Sequence, residues 1–148
     1  MNVYFICTGN TCRSPMAEAI LRSKELENLT VRSAGIHAQE GQLISLNAKT
    51  LIEEAAMPYT PQSRVVSRDC LEWADVVLTM TEAHKMELLY HYPTMREKTF
   101  TLKGFVEFES GGDVQDPFGG NLETYRQTFV ELSNVMDQLE LKLMEGQA

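Results

Sequence analysis

The sequence predicts an α/β fold, a parallel sheet with helices on both faces. Three observations predict it. Short β-branched, apolar runs alternate with segments of helical periodicity, which is the pattern of βα units. The best of these runs, Val3-Tyr4-Phe5-Ile6 and Val76-Val77-Leu78, are continuously apolar, as strands covered on both sides are. No repeat, linker or low-complexity stretch divides the 148 residues, so a single domain, 1–148, is expected. A chain of this length buries about two-thirds of its unfolded surface and needs no disulfide or metal staple.

The elements follow in order. Val3 to Ile6 reads as a strand ending in the polar loop Cys7-Thr8-Gly9-Asn10-Thr11-Cys12-Arg13. Ser14-Pro15 reads as N-cap and first residue of a helix with Ala17, Ile20 and Leu21 on its apolar face. Leu29 to Ser33 is a second strand, and Leu43 to Met57 a helical pattern through Leu46, Thr50, Leu51 and Glu54, stopped by Pro58. A short helix around Arg68 to Trp73 precedes a third strand, Asp75 to Met80, and Trp73 is expected in the core. A helix over Glu82 to Tyr90 is stopped by Pro93, and Thr99 to Leu102 is a fourth strand. Gly111 to Gly120 is a glycine-rich loop. The last helix is the clearest, with Leu122, Tyr125, Phe129, Leu132, Met136, Leu139 and Leu143 stepping by three and four.

Thirteen basic against 21 acidic residues give a net charge of −8, a poor match to nucleic acid or anionic membrane. Three cysteines make no secreted disulfide framework, the N-terminus carries no leader pattern, and no apolar run approaches a membrane span. A cytoplasmic monomer is the default expectation.

In an α/β sheet, ligands bind beyond the C-terminal ends of the strands, where the Cys7 loop lies. The loop reads as an anion trap. Backbone N–H groups converge, the next helix adds its positive end, and Arg13 can grip two phosphate oxygens. Gly9 and Asn10 are the types that most readily take positive φ. The same field favours a thiolate, so a depressed pKa and a nucleophilic Cys7 are expected, with Ser14 donating to the sulfur. Nucleotide P-loop and dinucleotide fingerprints are absent. Cys7, Cys12, Cys70, His37, His84 and His91 lack zinc spacing, and His84 and His91 read as a solvated or packed pair on one helix face. No metal or cofactor is called for.

Phosphoryl transfer to a thiolate needs an acid for the leaving group and then a base for water. Asp116, in Gln115-Asp116-Pro117-Phe118, is the better candidate, with Asp113 its competitor. Glu107, Glu109, Asp113 and Asp116 together give the loop an acidic mouth. Phe118 can wall the pocket.

Cys7-Thr-Gly-Asn-Thr-Cys-Arg-Ser-Pro15 together with Asp116-Pro117 resembles the low-molecular-weight protein-tyrosine-phosphatase family, over essentially the whole chain. The resemblance implies a flavodoxin-like fold with a four-stranded parallel sheet. It implies Cys7 as nucleophile, Arg13 as phosphate clamp and Asp116 as general acid and then base. Asn10 would hold the loop open, Ser14 would bond the thiolate, and Thr8, Gly9, Thr11 and Cys12 would complete the substrate loop. Cys7 and Cys12 match a cysteine pair that forms a reversible disulfide under oxidation. Tyrosine-directed members usually carry a branched aliphatic residue where this chain has Thr11. Thr11 and Phe118-Gly119-Gly120 instead look like the bacterial protein-arginine phosphatase branch. A phosphorylated protein, carrying phosphoarginine or else phosphotyrosine, is thus the implied partner. Ser33, Ser63 and Arg64 are candidates to support the loop from behind. Two rivals fit less well. Arsenate reduction wants two further relay cysteines, where only Cys70 remains, and a phosphate-binding module has no use for a reactive thiol.

Overall fold

The computed structural model describes residues 1–108 and 112–145. Four strands form one parallel sheet: β1 (Asn2–Cys7), β2 (Thr30–Gly35), β3 (Val76–Thr79) and β4 (Thr99–Thr101), in the order β2-β1-β3-β4. Successive side chains of β1 point to opposite faces, and both faces are buried. Val3, Phe5 and Cys7 face a core shared with α1 (Arg13–Ser23), α2 (Leu46–Glu54) and α6 (Leu122–Glu145). Tyr4 and Ile6 face a smaller core with Leu71 of α3 (Arg68–Trp73) and Leu88 of α4 (Glu82–His91). Phe5, Ile6, Leu71, Leu78 and Leu88 are fully buried, and each such side chain contributes about 1.5–3 kcal/mol. The expected three-layer, four-stranded architecture is observed.

The differences from the predicted elements have local causes. The first helix begins at Arg13, with Cys12 at the N-cap and no side chain capping it, so Ser14 is not the cap and Pro15 is its third residue. The Ser14 hydroxyl is used elsewhere, on Cys7. The second helix is shorter than Leu43 to Met57 because Ser45 caps it, its Oγ accepting from Ala48 N–H. Leu43 and Leu46 are exposed, and Ala48, Leu51 and Ile52 carry the buried face. Two elements went unread: a 3-10 turn at Pro93–Lys98 and the one-turn α5 (Leu102–Phe105), which takes Leu102 from the fourth strand. Trp73 is half-buried, edge-on to Tyr4 with the Arg32 guanidinium 4.2 Å above its ring. Among the described residues no helix is long and apolar enough to cross a membrane.

From β1 the strand order runs to β2 on one side and to β3 and β4 on the other, so the switch point lies between β1 and β3 and the loop leaving β1 opens into the crevice there. The end of β2 lies directly against that loop. A Cβ on Gly35 would stand 2.5 Å from the Thr8 carbonyl oxygen and 2.8 Å from Asn10 N. Ile36 N–H donates to Cys7 O at 3.0 Å and His37 N–H to Thr8 O at 2.9 Å. Gly35→Ala is expected to destabilise the protein by about 1–3 kcal/mol through overpacking and to displace the loop. Chemical denaturation together with phosphate affinity checks this; a variant unchanged in both would mean the close approach is not needed.

Candidate active site

The loop from Cys7 to Arg13 wraps around the Cys7 sulfur. Asn10 takes the positive φ the turn requires, at 55°, whereas Gly9 is not among the positive-φ residues. Asn10 N–H donates to Cys7 Sγ at 3.2 Å. The Asn10 side chain then orders everything behind the loop. Its Oδ1 accepts from Arg64 N–H at 2.8 Å, and its Nδ2 donates to Ser14 Oγ at 2.8 Å and to Ser33 Oγ at 3.0 Å. Ser33 Oγ passes its own hydrogen to Glu18 Oε1 at 2.9 Å. Glu18 is buried, and its other oxygen accepts from Thr60 Oγ1 at 2.6 Å.

The direction of these bonds is fixed by their ends. A buried carboxylate only accepts, and an amide nitrogen only donates. Ser14 Oγ, already accepting from Asn10, turns its hydrogen to Cys7 Sγ, 2.8 Å away. The Ser33 side chain and the Arg64 backbone therefore support the loop, while Ser63 bonds the Gln39 carbonyl instead.

Burial pushes the Cys7 thiol up from its ordinary value, against the Ser14 hydroxyl, the Asn10 N–H and the Arg13 charge, all of which pull it down. The direction is thus opposite to the expected depression, because sequence spacing shows the favourable field and not the cost of burying the sulfur. The Cys12 sulfur lies 3.2 Å from the Tyr125 hydroxyl, whose pKa burial and Cys12 raise to about 12. Cys7, Cys12 and Cys70 are all free thiols.

Arg13 is buried, with Nη1 donating to Val114 O at 3.1 Å and Nη2 lying 3.5 Å from Asp116 Oδ2. The Asp116 loop is tied to the sheet by Val114 N–H donating to Met80 O at 2.9 Å, just beyond β3. Asp116 is 54% exposed, and its other oxygen accepts from Phe118 N–H at 3.0 Å. Phe118 itself is 79% exposed at the mouth. Asp113 is occupied elsewhere, accepting from Glu82 N–H at the head of α4. Glu107 is exposed, and Glu109 and Gly111 lie outside the described residues.

Cys7, Thr8, Gly9, Asn10, Thr11, Cys12, Arg13, Asp116 and Phe118 line one cleft of about 290 Å³, joined by Gln42. Ser14 is the predicted site residue that does not line it, sitting beneath the sulfur. Sequence reasoning missed Gln42, Glu18, Tyr125 and His84. Glu18 carried one sequence signal, a carboxylate set among the apolar Met16, Ala17, Ala19, Ile20 and Leu21; in the structure the whole run Arg13 to Leu21 is buried. The histidine pair divides. His91 is exposed, whereas His84 is buried, bonded to Thr8, and held at a pKa of about 4 by burial and the Arg13 charge.

A cysteine sulfur at the centre of an amide-lined loop, with a buried arginine and an aspartate at one cleft, defines the class of thiol phosphatases. The chain belongs to the low molecular weight phosphotyrosine protein phosphatase family, whose model matches residues 2–148. This places it among the phosphoprotein phosphatases and bears out the resemblance read from its motifs. A protein-arginine-phosphatase of Geobacillus stearothermophilus is 43% identical over 98% of this chain and 97% of its own length. The low molecular weight protein-tyrosine-phosphatase PtpB of Staphylococcus epidermidis is 38% identical over 96% and 99%. Among solved structures, the YwlE arginine phosphatase from Geobacillus stearothermophilus superposes with a TM-score of 0.94 at 42% identity, covering 99% of this chain and 94% of that one. A YwlE mutant with a phosphorylated active-site serine gives 0.92 at 40% identity, covering 97% and 96%.

Two outcomes are expected. Ser14→Ala, by removing a bond that lowers the Cys7 pKa, shifts the midpoint of Cys7 alkylation to higher pH; an unmoved midpoint would deny the Ser14 hydroxyl its role. His84 is neutral in the fold, so below pH 6.5 the unfolded chain takes up a proton that the folded one refuses. Stability is then lost as the pH falls from 6.5 towards 4, by up to about 3 kcal/mol. His84→Gln should lack this component of the loss when denaturation is followed across that range, and parallel curves would contradict it.

Proposed function

We propose that the chain, acting as one phosphatase domain, hydrolyses phosphoarginine in proteins through a phosphocysteine. The observation that carries this reading is the convergence of Cys7 Sγ, Arg13 and Asp116 on one cleft whose wall is Thr11. Arg13 and the loop amides hold the phosphoryl oxygens and offset the charge developing in the transition state. The Cys7 thiolate, stabilised by the hydrogen from Ser14, attacks phosphorus as the bond to the leaving nitrogen breaks. Asp116 gives its proton to that nitrogen. It then takes one from a water, whose oxygen attacks phosphorus and releases phosphate and the thiolate. Asp116 suits both roles, being exposed at the mouth and 3.5 Å from Arg13, which holds the phosphoryl group. The relatedness to a mutant with a phosphorylated active-site serine supports a covalent phosphoenzyme.

Thr11 supports the arginine substrate. A guanidinium is planar and rich in N–H donors. A branched aliphatic residue at position 11 would bury those donors without partners, at about 1–3 kcal/mol each. Thr11 is small, half-buried and hydroxylated, and exposed Phe118 can stack on the guanidinium plane. The identity to an arginine phosphatase favours the same reading, while that to PtpB favours phosphotyrosine. Cys7 and Cys12 are proposed as a redox pair: a peroxide oxidises one thiol to a sulfenic acid and is itself reduced to water, the other sulfur attacks that sulfenic sulfur, and a second water leaves as the disulfide forms, each sulfur having left its present partner, Ser14 or Tyr125.

Initial rates on matched phosphoarginine and phosphotyrosine peptides test the reading. Wild type is expected to prefer phosphoarginine, and Thr11→Ile to lose about 10–100-fold of kcat/KM on it while gaining relative activity on phosphotyrosine. Cys7→Ser should release no phosphate, and Asp116→Asn should lower kcat by about 10²–10⁴-fold. Equal or better turnover of phosphotyrosine by wild type would make the protein a tyrosine phosphatase.

A further inference from the structure

Thr8 is the residue after the nucleophile, and it is held from outside the loop. His84 Nε2 lies 2.8 Å from Thr8 Oγ1. His84 is only 6% exposed, with its backbone N–H fixed to Thr81 Oγ1 at 3.0 Å. Its second ring nitrogen, Nδ1, is buried and has no hydrogen-bond partner among the described residues.

These facts select a tautomer. A neutral imidazole has one N–H and one lone pair. A hydrogen on Nδ1 would leave a buried donor unmet, which folded proteins almost never tolerate. With the hydrogen on Nε2, His84 donates to Thr8 Oγ1 and the orphan is a lone pair. Burial and the Arg13 charge keep the ring neutral, against the opposite pull of Asp113, Asp116 and Glu87.

The consequence falls on Thr8. Its carbonyl is pinned by His37 N–H, and its hydroxyl oxygen accepts from His84. The hydroxyl hydrogen is then free to turn into the cleft that Thr8 lines beside Cys7 and Arg13. We propose that His84 is a positioning residue that orients the Thr8 hydroxyl as a hydrogen-bond donor to the phosphoryl group held over Cys7. This rests on the phosphatase reading and applies to any phosphoryl leaving group.

A double-mutant cycle on an aryl phosphate, with inhibition by inorganic phosphate, tests it. Thr8→Val and His84→Leu are each expected to lower kcat/KM about tenfold, the scale of one hydrogen bond to a charged group. The double variant should be no worse than the worse single one, and His84→Gln, whose amide can donate to the same hydroxyl, should recover part of the loss. Wild-type kcat/KM in Thr8→Val, or losses that multiply in the double variant, would overturn the proposal. Should His84→Leu not fold, the ring-nitrogen NMR shifts of His84 in the wild-type chain still decide. A hydrogen on Nε2 is expected, and one on Nδ1 overturns it. Absence of wild-type activity on both the aryl phosphate and a phosphoarginine peptide would sink the phosphatase reading, while the His84 tautomer would still decide how the Thr8 hydroxyl is oriented.

Discussion

The structure depends on one polarised chain of hydrogen bonds, from the buried carboxylate of Glu18 through Ser33, Asn10 and Ser14 to the sulfur of Cys7. Glu18 can only accept, and burying it is tolerable because Ser33, Thr60 and Arg22 all donate to it. The amide of Asn10 then donates twice from one nitrogen. Once those directions are set, the hydroxyl of Ser14 has nowhere to send its hydrogen except the sulfur. The reactive atom is therefore poised by a carboxylate that never approaches it. Such networks are stronger together than in separate pairs, and a half-satisfied one is worse than none.

The fold supplies what that chain needs. Parallel pairing of β1 with β2 and β3 brings Gly35 under the loop and the Asp116 segment over it, although they are far apart in sequence. The first helix begins without a capping side chain, which leaves its opening amides open to an anion at the cleft. Cys12 stands at the N-cap and makes no capping bond, so the helix forgoes of order 1 kcal/mol there, while Ser14, inside the first turn, serves the sulfur.

Much of this was legible in the residues. β1, the Cys7 loop and α6 announce themselves through local pattern, and the Cys7-to-Pro15 motif with Asp116-Pro117 carries the family. What was not legible comes from contacts between distant segments. His84 is 76 residues from Thr8, and Tyr125 is 113 from Cys12, so neither pairing leaves a local trace. The helix starts differ from the local pattern where the cap position is set by the chain's path, Ser45 capping one helix and Ser14 lying inside another whose N-cap is Cys12. The Cys7 pKa failed in sign because spacing reveals nearby charge but not the depth of burial. The sequence ranks Asp116 above Asp113, and the bond of Asp113 to the start of α4 is a contact that no local pattern shows.

The central claim is that Cys7 carries the phosphoryl group. The most direct test is to mix the protein with a phosphoarginine peptide, quench in acid within one turnover, and weigh the proteolytic fragment that contains Cys7. The account predicts that this fragment gains one phosphoryl group, which decays as phosphate appears, and that Cys7→Ala never acquires it. Phosphate released at the wild-type rate by Cys7→Ala would contradict the account.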